Sequence, residues 1–107
     1  MIAGVAVLYN PSENVPENIN SYINQVAQLF IVDNSDKSSE VLKNISPGVE
    51  KPEYVFNNDN LGIAAALNIG IDRALKAGYT YLLTMDQDSY FEEGSLNKLI
   101  SNLNSAS

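Results

Sequence analysis

Short apolar runs alternate with helix-period segments along almost the whole chain, and this alternation limits the possible folds more than any other feature. Ile2-Ala3-Gly4-Val5-Ala6-Val7-Leu8-Tyr9 is apolar throughout and stops at Asn10-Pro11, the pattern of a strand buried on both faces. Pro16 suits the first turn of a helix. Ile19, Tyr22, Ile23 and Val26 then recur at the spacing of one helical face. Leu29-Phe30-Ile31-Val32 is a second apolar run, ended by Asp33-Asn34-Ser35. Ser38 to Ile45 reads as a short helix carrying Val41, Leu42 and Ile45, closed by Ser46-Pro47-Gly48. Glu53-Tyr54-Val55-Phe56 predicts a third, shorter strand nearer the sheet edge. Beyond the polar Asn57-Asn58-Asp59-Asn60, the residues Ile63, Leu67, Ile71, Ala74 and Leu75 predict a long helix. Its N-cap is Asp59 or Asn60, and Gly78 sits at its C-terminal cap. Tyr79 to Met85 predicts a fourth strand. Leu96, Leu99, Ile100 and Leu103 predict a helix from Gly94 to Leu103, with a frayed tail from Asn104 to Ser107.

Strand and helix in strict turn imply an α/β fold, a mostly parallel sheet with helices on both faces. Open sheets of that kind bind ligands beyond the carboxyl ends of their strands. Tyr9-Asn10-Pro11, Asp33-Asn34-Ser35, Asn57 to Asn60 and Asp86-Gln87-Asp88 each follow a predicted strand. Four polar loops are therefore expected to meet at one rim.

Composition narrows the chemistry available at that rim. The 107 residues suffice for one small domain. Cysteine and histidine are both absent, which removes disulfides, thiolate metal sites, imidazole ligands and any Ser-His-Asp triad. Metal binding and proton transfer then fall to carboxylates, whose oxygens favour Mg²⁺, Mn²⁺ or Ca²⁺. A formal net charge of −7 repels a phosphate backbone, so nucleic acid is not an expected partner. The Ile2–Leu8 run is too short to span a bilayer and lacks a basic flank. The expectation is a cytoplasmic chain, associated with the inner face of the cell membrane only peripherally if at all.

Asp86-Gln87-Asp88 is the sharpest candidate site. Two carboxylates one residue apart, just past an apolar strand, can both reach a loop-lined pocket. A divalent cation held there would bridge them to the phosphates of a nucleotide. The structural alternative is a turn with solvated acids. Asp33 reads equally as a hydrogen-bond partner of a base or ribose and as an Asx-turn closing its strand. Asn60-Leu61-Gly62 opens the long helix, where backbone N–H groups attract phosphate; simple capping accounts for it as well. Tyr9 stands beside the expected pocket, as a stacking surface or a packing residue. Tyr54, Tyr79 and Tyr81 read as packing residues, and Arg73 and Lys76 as solvated.

Val7-Leu8-Tyr9-Asn10-Pro11, Val32-Asp33-Asn34-Ser35, Asn57 to Gly62 with Asn68-Ile69-Gly70, and Met85-Asp86-Gln87-Asp88-Ser89 together resemble family 2 glycosyltransferases, and within them the bacterial rhamnosyltransferases. The resemblance implies a GT-A fold, a Rossmann-like nucleotide-binding sheet. It implies a nucleoside-diphosphate sugar as donor, dTDP-L-rhamnose if the branch is right, and a growing polysaccharide or lipid-linked acceptor. Transfer would invert the sugar carbon. By position, Tyr9, Asn10 and Asp33 would contact the nucleoside, and Asn60 and Gly62 the ribose or diphosphate. Asp86 and Asp88 match the family's DXD motif, holding Mg²⁺ or Mn²⁺, with Asp88 the direct ligand. Members of that family run to roughly twice this length or more. Residues 1–107 would then be the nucleotide-sugar-binding half, with the acceptor-binding part and catalytic base beyond residue 107 and little activity alone.

Two other classes place acids at strand ends. A haloacid-dehalogenase-type phosphatase uses Asp-x-Asp with the first Asp as nucleophile, but its motif opens the domain, whereas here it comes last. A receiver-like signalling module gathers acids from its first and third strands and a lysine from its fifth; only four strands are expected here.

Overall fold

The computed structural model describes residues 2–37 and 52–106. The expected helix over Ser38–Ile45 and its closing turn lie outside the described residues. The chain forms β1 (Ile2–Leu8), α1 (Val15–Asn20), a single 3-10 turn (Ile23–Gln25), β2 (Gln28–Asp33), β3 (Glu53–Phe56), α2 (Ile63–Lys76), β4 (Tyr81–Asp86) and α3 (Ser95–Ala106). The strands lie in the order β3-β2-β1-β4 and every pairing is parallel. β1 and β2 are the inner strands and bury nearly every residue, as their unbroken apolar runs require. β3 is the short edge strand that its sequence implied.

Alternate side chains of the sheet enter two cores. Ala6, Leu8, Leu29, Ile31 and Met85 pack under α1, the 3-10 turn and α3 against Val15, Ile19, Tyr22, Ile23 and Leu96. Ala3, Val5 and Phe30 pack on the other face beneath α2, against Ala74 with Leu67, Tyr79 and Leu82. The predicted α/β architecture, helices on both faces of a parallel sheet, is the one observed.

Several local expectations are corrected. The helical face Ile19-Tyr22-Ile23-Val26 is buried throughout, yet α1 stops at Asn20. The Ser21 hydroxyl donates to the Asn18 carbonyl at 2.6 Å, local bonding that competes with helix continuation. Val26 is already extended, because Ala27 N–H must donate to the Ile2 carbonyl as β2 begins. In α2 the buried face is Ala66, Gly70 and Ala74, with Leu67 half-buried; Ile63 and Leu75 are 60% and 54% exposed. Small residues win because the helix lies almost against the sheet. A Cβ on Gly70 would sit 2.4 Å from Val5 Cγ1.

The N-cap of α2 is Gly62, with no side-chain cap, not Asp59 or Asn60. At the other end the expected glycine terminator is present. Gly78, at φ 99°, donates to the Leu75 carbonyl and Tyr79 N–H to that of Ala74, a Schellman motif. That motif uses Tyr79, so β4 starts two residues later than predicted. α3 runs to Ala106, so Asn104–Ala106 are helical rather than frayed.

Candidate functional site

Register decides whether the strand ends meet. Leu8 pairs with Asp33, Asp33 with Phe56, and Val7 with Asp86. All four strands thus end at one edge within a residue or so. At that edge an open cleft of about 490 Å³ is walled by Val7, Tyr9, Asn60, Gly62, Asp86, Gln87 and Asp88, among others. Five of the seven residues singled out for nucleotide and metal binding, Tyr9, Asn60, Gly62, Asp86 and Asp88, lie in this one wall. Asp86 shares its side of the sheet with α2, whose N-terminal turn forms the opposite bank. That turn leaves backbone N–H groups and the positive end of a 14-residue helix at the cleft.

Asn10 and Asp33 stand at the same rim but outside that wall. Asn10 is exposed and held in the left-handed region at φ 44°, a conformation asparagine tolerates. Its N–H donates to Ser35 Oγ at 2.7 Å. Asp33 is fully buried. Its Oδ1 accepts from Ser35 N–H at 3.0 Å, an Asx-turn, and its Oδ2 from the Tyr54 hydroxyl at 2.5 Å. Burial, then that bond and the Asp33 charge, raise the Tyr54 phenol well above its ordinary value of 10.0. Tyr54 therefore remains a donor at any ordinary pH. Its reading as a packing residue is corrected, as is that of Tyr81, which is 62% exposed on the β4 edge. Asn68 is exposed on α2 and lies outside the cleft wall.

The loops are tied to one another by residues that sequence reasoning passed over. Asn34 Nδ2 donates to the Gly62 carbonyl at 3.1 Å, and Asn57 Nδ2 donates to Asn34 Oδ1 at 2.7 Å. Gln87 Oε1 accepts from Tyr9 N–H at 3.0 Å, and the Gln87 carbonyl accepts from Asn18 Nδ2 at 3.1 Å. Asn34 and Ser35 had a visible signal, polar residues directly after a buried strand. Asn18 and Gln87 had none.

The donor set suits a hard cation. Asp86 and Asp88 are both exposed and offer oxygen ligands at the cleft. Among the described residues no group of three or more acids stands together. Asp86 and Asp88 would hold such an ion, whose charge would attract anionic oxygens to the cleft. The ion pairs Arg73–Glu53 and Lys76–Asp72 involve other parts of the chain. A second cleft of about 500 Å³ lies between the 3-10 turn and α3, lined by Asn24, Tyr90, Glu93 and Asn97 among others. It brings one carboxylate rather than a pair.

An open parallel sheet with its polar loops gathered at the carboxyl edge, and paired acids in the cleft, defines a Rossmann-type α/β protein of GT-A-like form. The chain belongs to glycosyl transferase family 2, whose description matches residues 5–106. It is 32% identical over 102 residues to the dTDP-rhamnosyl transferase RfbF of Shigella flexneri, covering 92% of this chain and 33% of that protein. It is 31% identical over 103 residues to an uncharacterized glycosyltransferase of Haemophilus influenzae, covering 92% of this chain and 40% of the relative. The chain spans 33% and 40% of the lengths of these curated relatives. No described helix is long and apolar enough to cross a membrane.

Proposed function

We propose that residues 1–107 form the nucleotide-sugar-binding half of an inverting, metal-dependent glycosyltransferase. One observation carries this reading: Tyr9, Asn60 and Gly62 share a single cleft with Asp86 and Asp88 at the carboxyl edge of a parallel sheet. The donor is a nucleoside-diphosphate sugar. The name of the Shigella relative favours dTDP-L-rhamnose. The acceptor is a hydroxyl on a polysaccharide or lipid-linked glycan at the inner face of the cell membrane.

Each residue has a distinct task. Tyr9 offers an exposed ring to the base, and the Asn10 loop borders it. Asp33 acts at the nucleoside end; with its carboxylate engaged by Tyr54 and Ser35, it shapes the loop that meets the nucleoside. Asn60 and Gly62 bring the α2 N-terminus to the ribose and diphosphate, where its dipole favours negative charge. Asp86 and Asp88 hold Mg²⁺ or Mn²⁺, with Asp88 as the direct ligand. The bound ion would offset charge on the departing diphosphate. The base that activates the acceptor is assigned to the further length that the relatives possess, so this chain binds donor but transfers little.

Calorimetric titration of dTDP, UDP and GDP, each with and without Mn²⁺, tests the reading. The expected result is manganese-dependent binding with dTDP preferred. Asp88→Ala should lower it by more than the roughly 10–100-fold that losing a metal ligand's own hydrogen-bond partner costs. A phosphoenzyme trapped at Asp86 would favour the phosphatase instead. Ion binding indifferent to nucleotide would favour a signalling module.

A further inference from the structure

We propose that Gln87, the residue between the two acids, is a positioning residue that locks the metal-binding loop to the loop after β1. The inference rests on the reading of Asp86 and Asp88 as cation ligands. Gln87 ties its own loop to two segments near the start of the chain. Its side-chain oxygen accepts from Tyr9 N–H at 3.0 Å, across 78 residues of sequence. Its main-chain carbonyl accepts from Asn18 Nδ2 at 3.1 Å, across 69 residues.

The loop is also pinned further along. Ser89 N–H donates to the Asp86 carbonyl at 3.0 Å and closes a turn over Gln87 and Asp88. Phe91 N–H donates to Ser21 Oγ at 2.9 Å. Asn18 in α1 and Ser21 at its C-cap are three residues apart, so the C-terminal end of α1 clamps the loop on both sides of Asp88. Asp88 itself stays exposed between two fixed points, which leaves its carboxylate open to an ion while its backbone is held.

The chemistry of the side chain fits this task. Tyr9 N–H needs an acceptor, and an amide supplies one without charge. A carboxylate at position 87 would accept the same bond but add a third negative charge beside Asp86 and Asp88, at an electrostatic cost without the ion. The Tyr9 contact is exposed, so water can replace it in the folded protein at little cost. Loss of Gln87 should therefore weaken the ion site far more than the fold. Gln87 bonds Tyr9 and Asn18 rather than the carboxylates, so it acts on the ion through the backbone it shares with Asp86 and Asp88.

The test is manganese binding to the 107-residue chain in the presence of dTDP, followed by electron paramagnetic resonance. Free and bound Mn²⁺ are counted separately, and thermal midpoints are measured alongside. Gln87→Met removes the acceptor and keeps the length. It should weaken manganese affinity about tenfold and alter the bound-ion line shape, with the thermal midpoint unchanged. Asn18→Ala, which loosens the same residue through its carbonyl, should shift affinity in the same direction. It carries the test alone if Gln87→Met does not fold. Native affinity and line shape in both variants would overturn the proposal. If Asp88→Ala also binds manganese like the native chain, the cation reading itself has failed. If only Asp88→Ala loses the ion, the site stands and the role of Gln87 falls.

Discussion

Asp33 is a charged residue at 0% exposure, and its surroundings explain how such burial is tolerated. A buried acceptor deprived of its donor costs about 1–3 kcal/mol, more when charged. Asp33 has donors on both oxygens, Ser35 N–H and the Tyr54 hydroxyl. Tyr54→Phe should therefore destabilise the chain by about 1–3 kcal/mol in urea unfolding, although Tyr54 is itself 41% exposed. An alkaline effect follows as well. Burial raises the Tyr22 phenol above its ordinary value of 10.0, and burial with Asp33 does the same to Tyr54. The native state thus holds these protons where the unfolded chain releases them, and stability must fall as pH rises beyond about 10. That fall should be shallower in Tyr54→Phe than in the native chain. Gly62 gives another residue-level test. At φ 88° and ψ 156° it occupies backbone space almost closed to other residues. Gly62→Ala should cost about 1–3 kcal/mol of strain, although nothing lies within 4 Å of the added Cβ. Asp33 could be placed from its parity with Leu29 and Ile31, which puts it on an inner face of the sheet. Its donor could not, because Tyr54 reaches it from a different strand.

At the scale of elements, the packing of α2 on the sheet is set by a glycine. Gly70→Ala would drive a methyl into Val5 and should cost about 1–3 kcal/mol. Combining it with Val5→Ala should recover part of the loss, a non-additivity that denaturant titration of the double mutant would reveal. The elements themselves were legible. Four apolar runs became four strands, and β3 was recognisable as an edge from its brevity. Element boundaries were less so. Hydrophobic period identified which residues of the Pro16–Val26 segment are buried but not that the helix breaks, since a helix and a 3-10 turn can both bury Ile19, Tyr22 and Ile23. In α2 the large apolar residues drew attention, whereas the sheet accepted the small ones. Spacing records which residues share a face, not how near that face lies to its neighbour.

For the molecule as a whole, the rim was readable because each buried strand ends abruptly in Asn, Asp or Ser. Parallel pairing brings such ends together whatever the strand order. The cross-links between the loops were not readable. Asn18, Asn34, Asn57 and Gln87 bond partners from 23 to 78 residues away, and a lone amide carries no mark of a distant partner. The central claim is that this rim seats a cation and a nucleoside diphosphate together. Manganese is paramagnetic and broadens the nuclear resonances near it, so amide spectra of the chain with dTDP and a trace of Mn²⁺ would locate the ion. The account predicts selective broadening at Asp86 to Asp88, Tyr9 and Gly62. Broadening centred instead on the acids of the Glu53 and Asp72 region, with Asp86 to Asp88 left sharp, would contradict it.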